Sequence, residues 1–481
     1  MNRPLRHVAF VVALLFVVLA GSTTYYQVIA ADQLNADPRN RRTVLDEFGR
    51  DRGPIVVKGE AVAESQKSGD AYGYLRKYPQ GKLYSAATGF YSVTYGFSGI
   101  ERAENDTLSG SSDALFYQRV SSILSGSAPE GASVSLTLDP AVQKAATEAL
   151  SGKKGAAVAL DPTTGKILGL VTSPSYDPNA LSSHDPAAVQ KAWKAMGSDP
   201  DRPLTNRAIG GNLYPPGSTF KLIVAAAALE AGGYTKDSSV AGPGTYKLPL
   251  SSSVMNNHAG GGTAPCGPND ASTLQQALEQ SCNTTFAILG GKLGASSLQT
   301  TASEFGFGAK LAIPQSVTPS TMGTDLNAPQ LAMASIGQYE DKVTPLQMAM
   351  VAAGIDNDGA VMQPQLIDSV RTSTLKELRA FSAKKLGQPL SAANAAQMRQ
   401  MMQGVVTNGT GTSAQIPGAE VGGKTGTAEW ASGKPPHAWF VGYANKGSKK
   451  IAVAVVVEQG GYGGDAAAPI ARTMMEAGIG R

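Results

Sequence analysis

Residues 215–221 read PPGSTFK, and the fold turns on how this stretch is read. Pro215, Pro216 and Gly217 impose a turn, and the run that follows, LIVAAAALEAGG, is apolar without interruption. A buried helix is therefore expected to begin just after the glycine and to stop at Gly232-Gly233. Ser218 would stand at its N-terminus, with Lys221 one turn later on the same face. Burying that helix disfavours a charged amine, and a neutral amine within reach of a hydroxyl can take its proton. The helix N-terminus also offers backbone N–H groups to a developing oxyanion. A serine cap on a core helix with a snorkelling lysine explains the same residues, so the stretch alone decides nothing.

The S-x-x-K spacing recurs at Ser151–Lys154, Ser373–Lys376 and Ser382–Lys385, in strand-flanking or charged surroundings; only Lys221 leads into an apolar helix. Two further motifs bear on the choice. SCN (Ser281, Cys282, Asn283) is the chain's single S-x-N and lies between the helical TLQQALEQ and the apolar TTFAILGGKLG. A hydroxyl and a carboxamide at that turn can face one cleft, the first to pass a proton and the second to hold a peptide backbone. VGGKTGTAEW holds the single K-T-G, Lys424-Thr425-Gly426, followed by Thr427. Val421 opens a strand there, and Gly422, Gly423 and Gly426 strip it of side chains, which suits an extended peptide pairing with a strand edge. Lys424 is a cation for a carboxylate, Thr425 adds a hydroxyl, and the N–H of Thr427 is a second oxyanion donor. Loop polars and a glycine-rich hairpin are the plain alternatives for each motif, but the three in this order point to one nucleophile, Ser218.

Working outward, ASVSLTLD (Ala132–Asp139) alternates as a strand, and Pro140 opens a helix over PAVQKAATEAL. GAAVALDPTTGKILGLVTS reads as strand, tight turn, strand. AWFVGYA and KIAVAVVVEQ form a second pair, followed by a C-terminal helix from Ala467. Strands at both ends of a large segment, with helices between, predict one α/β domain of α+β type whose antiparallel sheet gathers distant parts of the chain. From Asp32 to about Glu130 the chain is polar and irregular, which predicts a small accessory region with short strands. The expected division is a cytoplasmic N-terminus at 1–7, a membrane segment at 8–31, a non-catalytic pedestal at 32–135 and the catalytic domain at 136–481.

Arg3 and Arg6 precede VAFVVALLFVVLA, and the uncharged continuation to Ala31 makes the stretch long enough to span a bilayer. The arginines would hold its start in the cytoplasm, with Tyr25 and Tyr26 at the far interface. A cleaved signal peptide ending at VLA is the rival reading, and in both the bulk of the chain lies outside the cytoplasm. In that compartment Cys266 and Cys282 are either a disulfide or two buried thiols. A net charge of +4 over 481 residues, without a long basic run, disfavours nucleic acid. His7, His184, His258 and His437 show no H-x-x-x-H spacing and the cysteines no C-x-x-C, so no zinc site is expected.

At its three motifs the sequence resembles the penicillin-binding proteins and serine β-lactamases. GAAVALDPTTGKILGLVTSPSYDPN, NRAIGGNLYPPGSTFK, SIGQYEDKVTPLQMAMVAAGIDNDG, NGTGTSAQIPGAEVGGKTGTAEW and HAWFVGYA look like the transpeptidase domain of class B penicillin-binding proteins, over about residues 150–481. From Asn35, RNRR and RDRGPI look like the start of that class's pedestal. The short pedestal and the lack of a C-terminal appendage are most similar to the actinobacterial penicillin-binding protein A type. No E-D-x-x-F-x-x-H signature is found, which excludes a bifunctional class A enzyme.

The resemblance implies that Ser218 is acylated, Lys221 is its base and Ser281 shuttles the proton. It implies that Asn283 holds the substrate peptide beside Lys424, Thr425 and Gly426, and that the N–H groups of Ser218 and Thr427 form the oxyanion hole. The implied reaction is D,D-transpeptidation of peptidoglycan stem peptides ending in D-Ala-D-Ala, for division or elongation, with β-lactams trapping the serine and no metal or organic cofactor. A single-pass anchor with an extracytoplasmic catalytic domain and a membrane glycosyltransferase partner of the SEDS type follow from the same resemblance. Two rivals stand beside it: a D,D-carboxypeptidase or β-lactamase of the same fold, and a non-catalytic sensor or scaffold. Against the first, Glu279 is the one glutamate near the second motif and lacks an E-x-x-L-N context. Against the second, all three motifs are intact.

Overall fold

The computed structural model describes residues 3–30, 48–116, 124, 130–257 and 262–480. Ala31, the expected pedestal opening from Asp32 through RNRR, and His258 lie outside the described residues. The N-terminal stretch forms a helix, Arg3–Ile29, whose most apolar 18 residues have mean hydropathy 2.2, and no part of it is buried against the rest of the protein. At 1.5 Å per residue it measures about 40 Å, which exceeds a hydrocarbon core of about 30 Å. The helix is thus long and apolar enough to cross a membrane.

In the larger, C-terminal part of the chain the elements follow the expected order: strands β1 (Gly155–Leu160) and β2 (Ile167–Ser173), then helices α1 (Lys221–Glu230), α2 (Asn283–Leu293) and α3 (Pro345–Asp356). Strands β3 (Glu420–Ala428), β4 (His437–Lys446) and β5 (Lys449–Val457) and helix α4 (Ala468–Gly478) complete it. The five strands pair antiparallel in the order β3-β4-β5-β1-β2, so the sheet gathers residues some three hundred positions apart. The β1–β2 turn forms because the Asp161 carboxylate accepts from the N–H of Thr163 (2.8 Å) and Gly165 takes φ 78°.

The strands are apolar on both faces because both are covered. Ala156, Val158 and Leu160 join one core, with α1 and α3, while Ala157 and Ala159 join another, with α4 and helix Pro140–Ala149. Every residue of α3 is buried, and the helix lies under β1, β4 and β5. Alternation is therefore absent from the sequence although the period-2 geometry is present.

The accessory region is a six-stranded sheet, and two of its strands come from far along the chain. Its order runs Glu377–Ala380, Ile367–Arg371, Ser133–Leu136, Ile55–Val57, Glu60–Lys67, Tyr74–Lys77. The strand Ile367–Arg371 enters from the segment expected to be catalytic and pairs with Ser133–Leu136. Its sequence, IDSVR, is short, with charges at Asp368 and Arg371, the composition of a strand near a sheet edge, and gave no periodic signal.

The sheet is backed by a buried ion cluster. The Glu101 carboxylate accepts from Arg52 Nε (2.6 Å), Arg76 Nε (2.7 Å) and the Tyr78 hydroxyl (3.1 Å). Burial pushes the Glu101 carboxyl up, but the two guanidiniums outweigh it and hold the group below its usual range.

Candidate active site

The PPGSTFK turn is pinned to the central sheet before any chemistry is considered. Gly217 takes φ 54° and donates its N–H to Gly337 O at 2.9 Å. A side chain there would meet Ala428 Cβ and Thr427 O at 3.0 Å, so only glycine lets the turn sit this close to β3. Trp439 Nε1 from β4 donates to Pro215 O at 3.1 Å. Residues Gly217–Phe220 form a 3₁₀ turn, tighter than the expected α-helical start, and α1 proper begins at Lys221. Ser218 is half-buried on this turn.

Lys221 is fully buried, which rules out snorkelling. Its Nζ donates to Ser281 O at 2.6 Å and to Asn283 Oδ1 at 2.8 Å, and lies 3.4 Å from Ser281 Oγ. Burial pushes this amine well below its ordinary range, and the nearby Lys424 charge acts in the same direction. A neutral amine has two N–H groups and one lone pair. Two carbonyl oxygens take the N–H groups here, leaving the lone pair for a hydroxyl proton.

Ser281 occupies the left-handed region at φ 61°, in the turn between helix Leu274–Glu279 and α2. For a non-glycine residue that conformation costs on the order of 1 kcal/mol or more and persists only where the surroundings enforce it. Here Cys282 N–H bonds Ala277 O (2.9 Å), Asn283 N–H bonds Asn257 O (2.9 Å), and Cys282 is disulfide-bonded to Cys266. The cysteine alternatives left open by the sequence thus close on the disulfide, which fastens the centre of the second motif to the segment around Cys266.

On β3, Thr425 and Thr427 line the cleft, whereas Lys424 is fully buried beneath it and donates to Thr425 O at 3.1 Å. Burial carries the Lys424 amine down to about 7. Sequence reasoning had this lysine meet a carboxylate directly; the structure puts it under the strand, close enough to Lys221 to disfavour that residue's proton. The glycines also serve a different purpose from the one expected. A side chain at Gly422 would strike the Tyr443 ring, at Gly423 the Phe440 ring, and at Gly426 Thr219 Cγ2 and Trp439 Cβ. They are bare for the sheet's own packing, not for a ligand. In the sheet β3 remains an edge strand, open on one side to an extended chain.

Thr410 went unnoticed in the sequence: its hydroxyl lies 2.6 Å from that of Thr425, giving the cleft a hydroxyl pair. It sits in an aperiodic loop, N-G-T-G-T, and its N–H bonds Glu279 O, so only the tertiary structure identifies it.

Two cavities meet at Ser218. One, of about 330 Å³, is lined by Ser218, Ser281, Asn283, Thr410, Thr425 and Thr427. The other, of about 750 Å³, shares Ser218, Asn283 and Thr427 and runs past Glu429 and Trp430. The remaining S-x-x-K pairs lie elsewhere: Lys154 faces Glu458 (3.6 Å) and Asp201 (3.7 Å), and Lys376 and Lys385 are exposed. The Glu279 side chain bonds Gln275 Nε2 at 2.8 Å and packs on Gly404, outside both cavity linings.

The buried amines predict a pH profile. The rate of covalent capture of penicillin is expected to rise as Lys221 sheds its proton and to turn down near pH 7 as Lys424 loses the positive field under β3. Stopped-flow labelling across pH reads this bell, and a level profile through neutrality contradicts it.

A pinned serine turn, a buried lysine, the S-x-N turn between two helices and the K-T-G edge strand thus meet at one cleft, the arrangement of a serine acyl-transfer site. The family model described as "Penicillin binding protein transpeptidase domain" matches residues 155–476, and "Penicillin binding protein A dimerisation domain" matches residues 52–134. This chain belongs to the penicillin-binding protein transpeptidase family. It is 42% identical over its whole length to the peptidoglycan D,D-transpeptidase PbpA of Mycolicibacterium smegmatis, covering 99% of that protein. Against PbpA of Mycobacterium tuberculosis the identity is 41%, with 100% of this chain and 99% of the relative covered. The solved structure of penicillin-binding protein A from M. tuberculosis as its ceftriaxone acyl-enzyme superposes with TM-score 0.86 at 40% identity, over 90% of this chain and all of that one.

Proposed function

We propose that this protein is a peptidoglycan D,D-transpeptidase working through an acyl-enzyme on Ser218. Lys221 takes the Ser218 proton as Oγ attacks the penultimate D-alanine carbonyl of a stem peptide ending in D-Ala-D-Ala. The tetrahedral oxyanion is held by the backbone N–H groups of Ser218 and Thr427. Ser281 hands its proton to the departing D-alanine nitrogen and takes in its place the proton Lys221 has gained, which returns the Lys221 amine to its neutral form. The amine of a second stem then attacks the ester and gives up a proton to Lys221; that proton passes to the departing Ser218 Oγ as the C–O bond breaks, leaving an amide cross-link, the free serine and a neutral Lys221. Asn283 and the open edge of β3 hold the donor backbone, and the Thr410–Thr425 hydroxyl pair above buried Lys424, next to Gly426, receives the terminal carboxylate. The observation that carries this reading is the buried Lys221 amine bonded to both Ser281 and Asn283.

The domain limits proposed are an anchor at 8–31, a pedestal at 32–135 and a catalytic domain at 136–481. Arg3 and Arg6 ahead of the apolar helix support a cytoplasmic start and an extracytoplasmic catalytic domain. A SEDS-type glycosyltransferase is the partner we propose for the anchor and pedestal.

The decisive assay incubates the detergent-solubilised full chain with a pentapeptide donor and a free-amine acceptor peptide. One D-alanine released per cross-linked dimer is the expected result. Release of D-alanine with only the hydrolysed tetrapeptide, or repeated turnover of nitrocefin, would assign the protein instead to the carboxypeptidases or β-lactamases.

A further inference from the structure

The face of β3 that lines the cleft continues one residue beyond the strand. Thr425 and Thr427 line the cleft, and with a period of two Glu429 follows on the same side, while Lys424 and Ala428 are buried on the other. Glu429 therefore stands about 7 Å along the chain from Thr427, in the wall of the larger cavity at Ser218. Its backbone is clamped. The Gln338 carboxamide accepts from the Glu429 N–H and donates to the Glu429 C=O, both at 3.1 Å. Gln338 follows Gly337, whose carbonyl receives the Gly217 N–H, so one turn fixes both the serine and this end of β3. Beyond it the Trp430 indole stacks on His437, with ring centroids 5.3 Å apart and 10° between planes, and donates to Pro435 O at 3.0 Å.

Held in this way, Glu429 is exposed, and among the described residues its carboxylate meets no cation within ion-pair distance. Lys434, the other charged residue lining this cavity, sits on the loop to β4, outside the period of the strand. A peptide pairing with the open edge of β3, its terminal carboxylate at Thr425, runs antiparallel to the strand. Its acylated residue then stands at Thr427, and the residues ahead of that one pass Glu429. An extended chain rises about 3.3 Å per residue, so a long side chain one residue ahead covers the remaining distance to the carboxylate. Each stem carries an amine, since a second stem resolves the acyl-enzyme with one, and the donor stem therefore carries it too. At neutral pH such an amine is a cation.

We propose that Glu429 determines donor specificity, favouring peptides with a cationic side chain on the residue immediately ahead of the acylated D-alanine. The carboxylate pairs with that ammonium group and sets the register of the chain on β3. It also holds the donor's own amine away from the Ser218 ester, leaving the ester to the amine of the second stem. The inference rests on the reading of the cleft as a peptide acyl-transfer site, which supplies the direction of the donor along β3.

Nα-acetyl-L-lysyl-D-alanyl-D-alanine and its Nε-acetylated form differ by one charge at this position. With the detergent-solubilised full chain, D-alanine release is expected to favour the free amine about fivefold in kcat/KM, as for an ion pair open to solvent. Added salt should shrink the preference, and Glu429→Gln should remove it by slowing the cationic donor. Competition of the two peptides with fluorescent penicillin reads the same preference without turnover. A preference in competition with no D-alanine released would sink the D,D-transpeptidase reading and keep Glu429 as the group that recognises the cation. Equal treatment of the two peptides by the wild type, including no competition by either, or a preference that survives Glu429→Gln, overturns the proposal.

Discussion

A chain carrying Ser218→Ala forms no covalent adduct with fluorescent penicillin, a fall on the order of 10⁴-fold or more in acylation rate. The loss is expected to be this large because the variant removes the hydroxyl assigned as nucleophile, and the other S-x-x-K serines do not line its cleft. The three other S-x-x-K serines are separated from the cleft, and the lysine of one of them faces acidic side chains at the surface. The fold should survive the change. The turn is held by Gly217 N–H on Gly337 O, by Thr219 Oγ1 on Pro216 O and by Trp439 on Pro215 O, none of which involves the Ser218 side chain. Gel fluorescence together with a thermal melt separates the two effects. A labelled band of wild-type intensity in the variant would mean that the acylated residue lies elsewhere.

Replacing Lys221 is expected to reduce acylation by about 10³-fold with Ser218 intact, the range of a lost general base. Methionine keeps the volume and removes the amine. Arginine keeps the charge and the hydrogen-bond donors but cannot shed a proton at any working pH. If the lysine acts as a base, both variants are equally slow. Were it only a cation that orients Ser281 and Asn283, arginine would restore the rate. Second-order labelling constants for the two variants therefore distinguish base from scaffold, and an arginine variant within a few-fold of wild type would sink the mechanism.

What the sequence revealed and what it hid divide along physical lines. Strands β1, β2, β4 and β5 were readable because a sheet covered on both faces needs apolar residues at every position, and such runs stand out. The PPGSTFK turn was readable because proline and glycine act locally. The Ile367–Arg371 strand was not, since its place in the sheet is decided by a partner more than two hundred residues away. The structure brings Ser218, Ser281, Asn283, Thr425 and Thr427 of the three motifs to one cleft and buries Lys221 beside them, yet motif spacing could not tell which face of β3 Lys424 takes. It also misread the reason for the glycines, because the rings they accommodate lie on β4, not on a ligand. Thr410 carried no signal, for a lone threonine in a loop acquires meaning only from the hydroxyl opposite.

Because the chain visits the accessory sheet twice, the two lobes cannot be exchanged between relatives by one crossover. A recombination event near residue 136 would set a foreign Ser133–Leu136 strand beside the resident Ile367–Arg371. Its pairing of Val134 with Val370 and Ser133 with Arg371 would then have to match by luck.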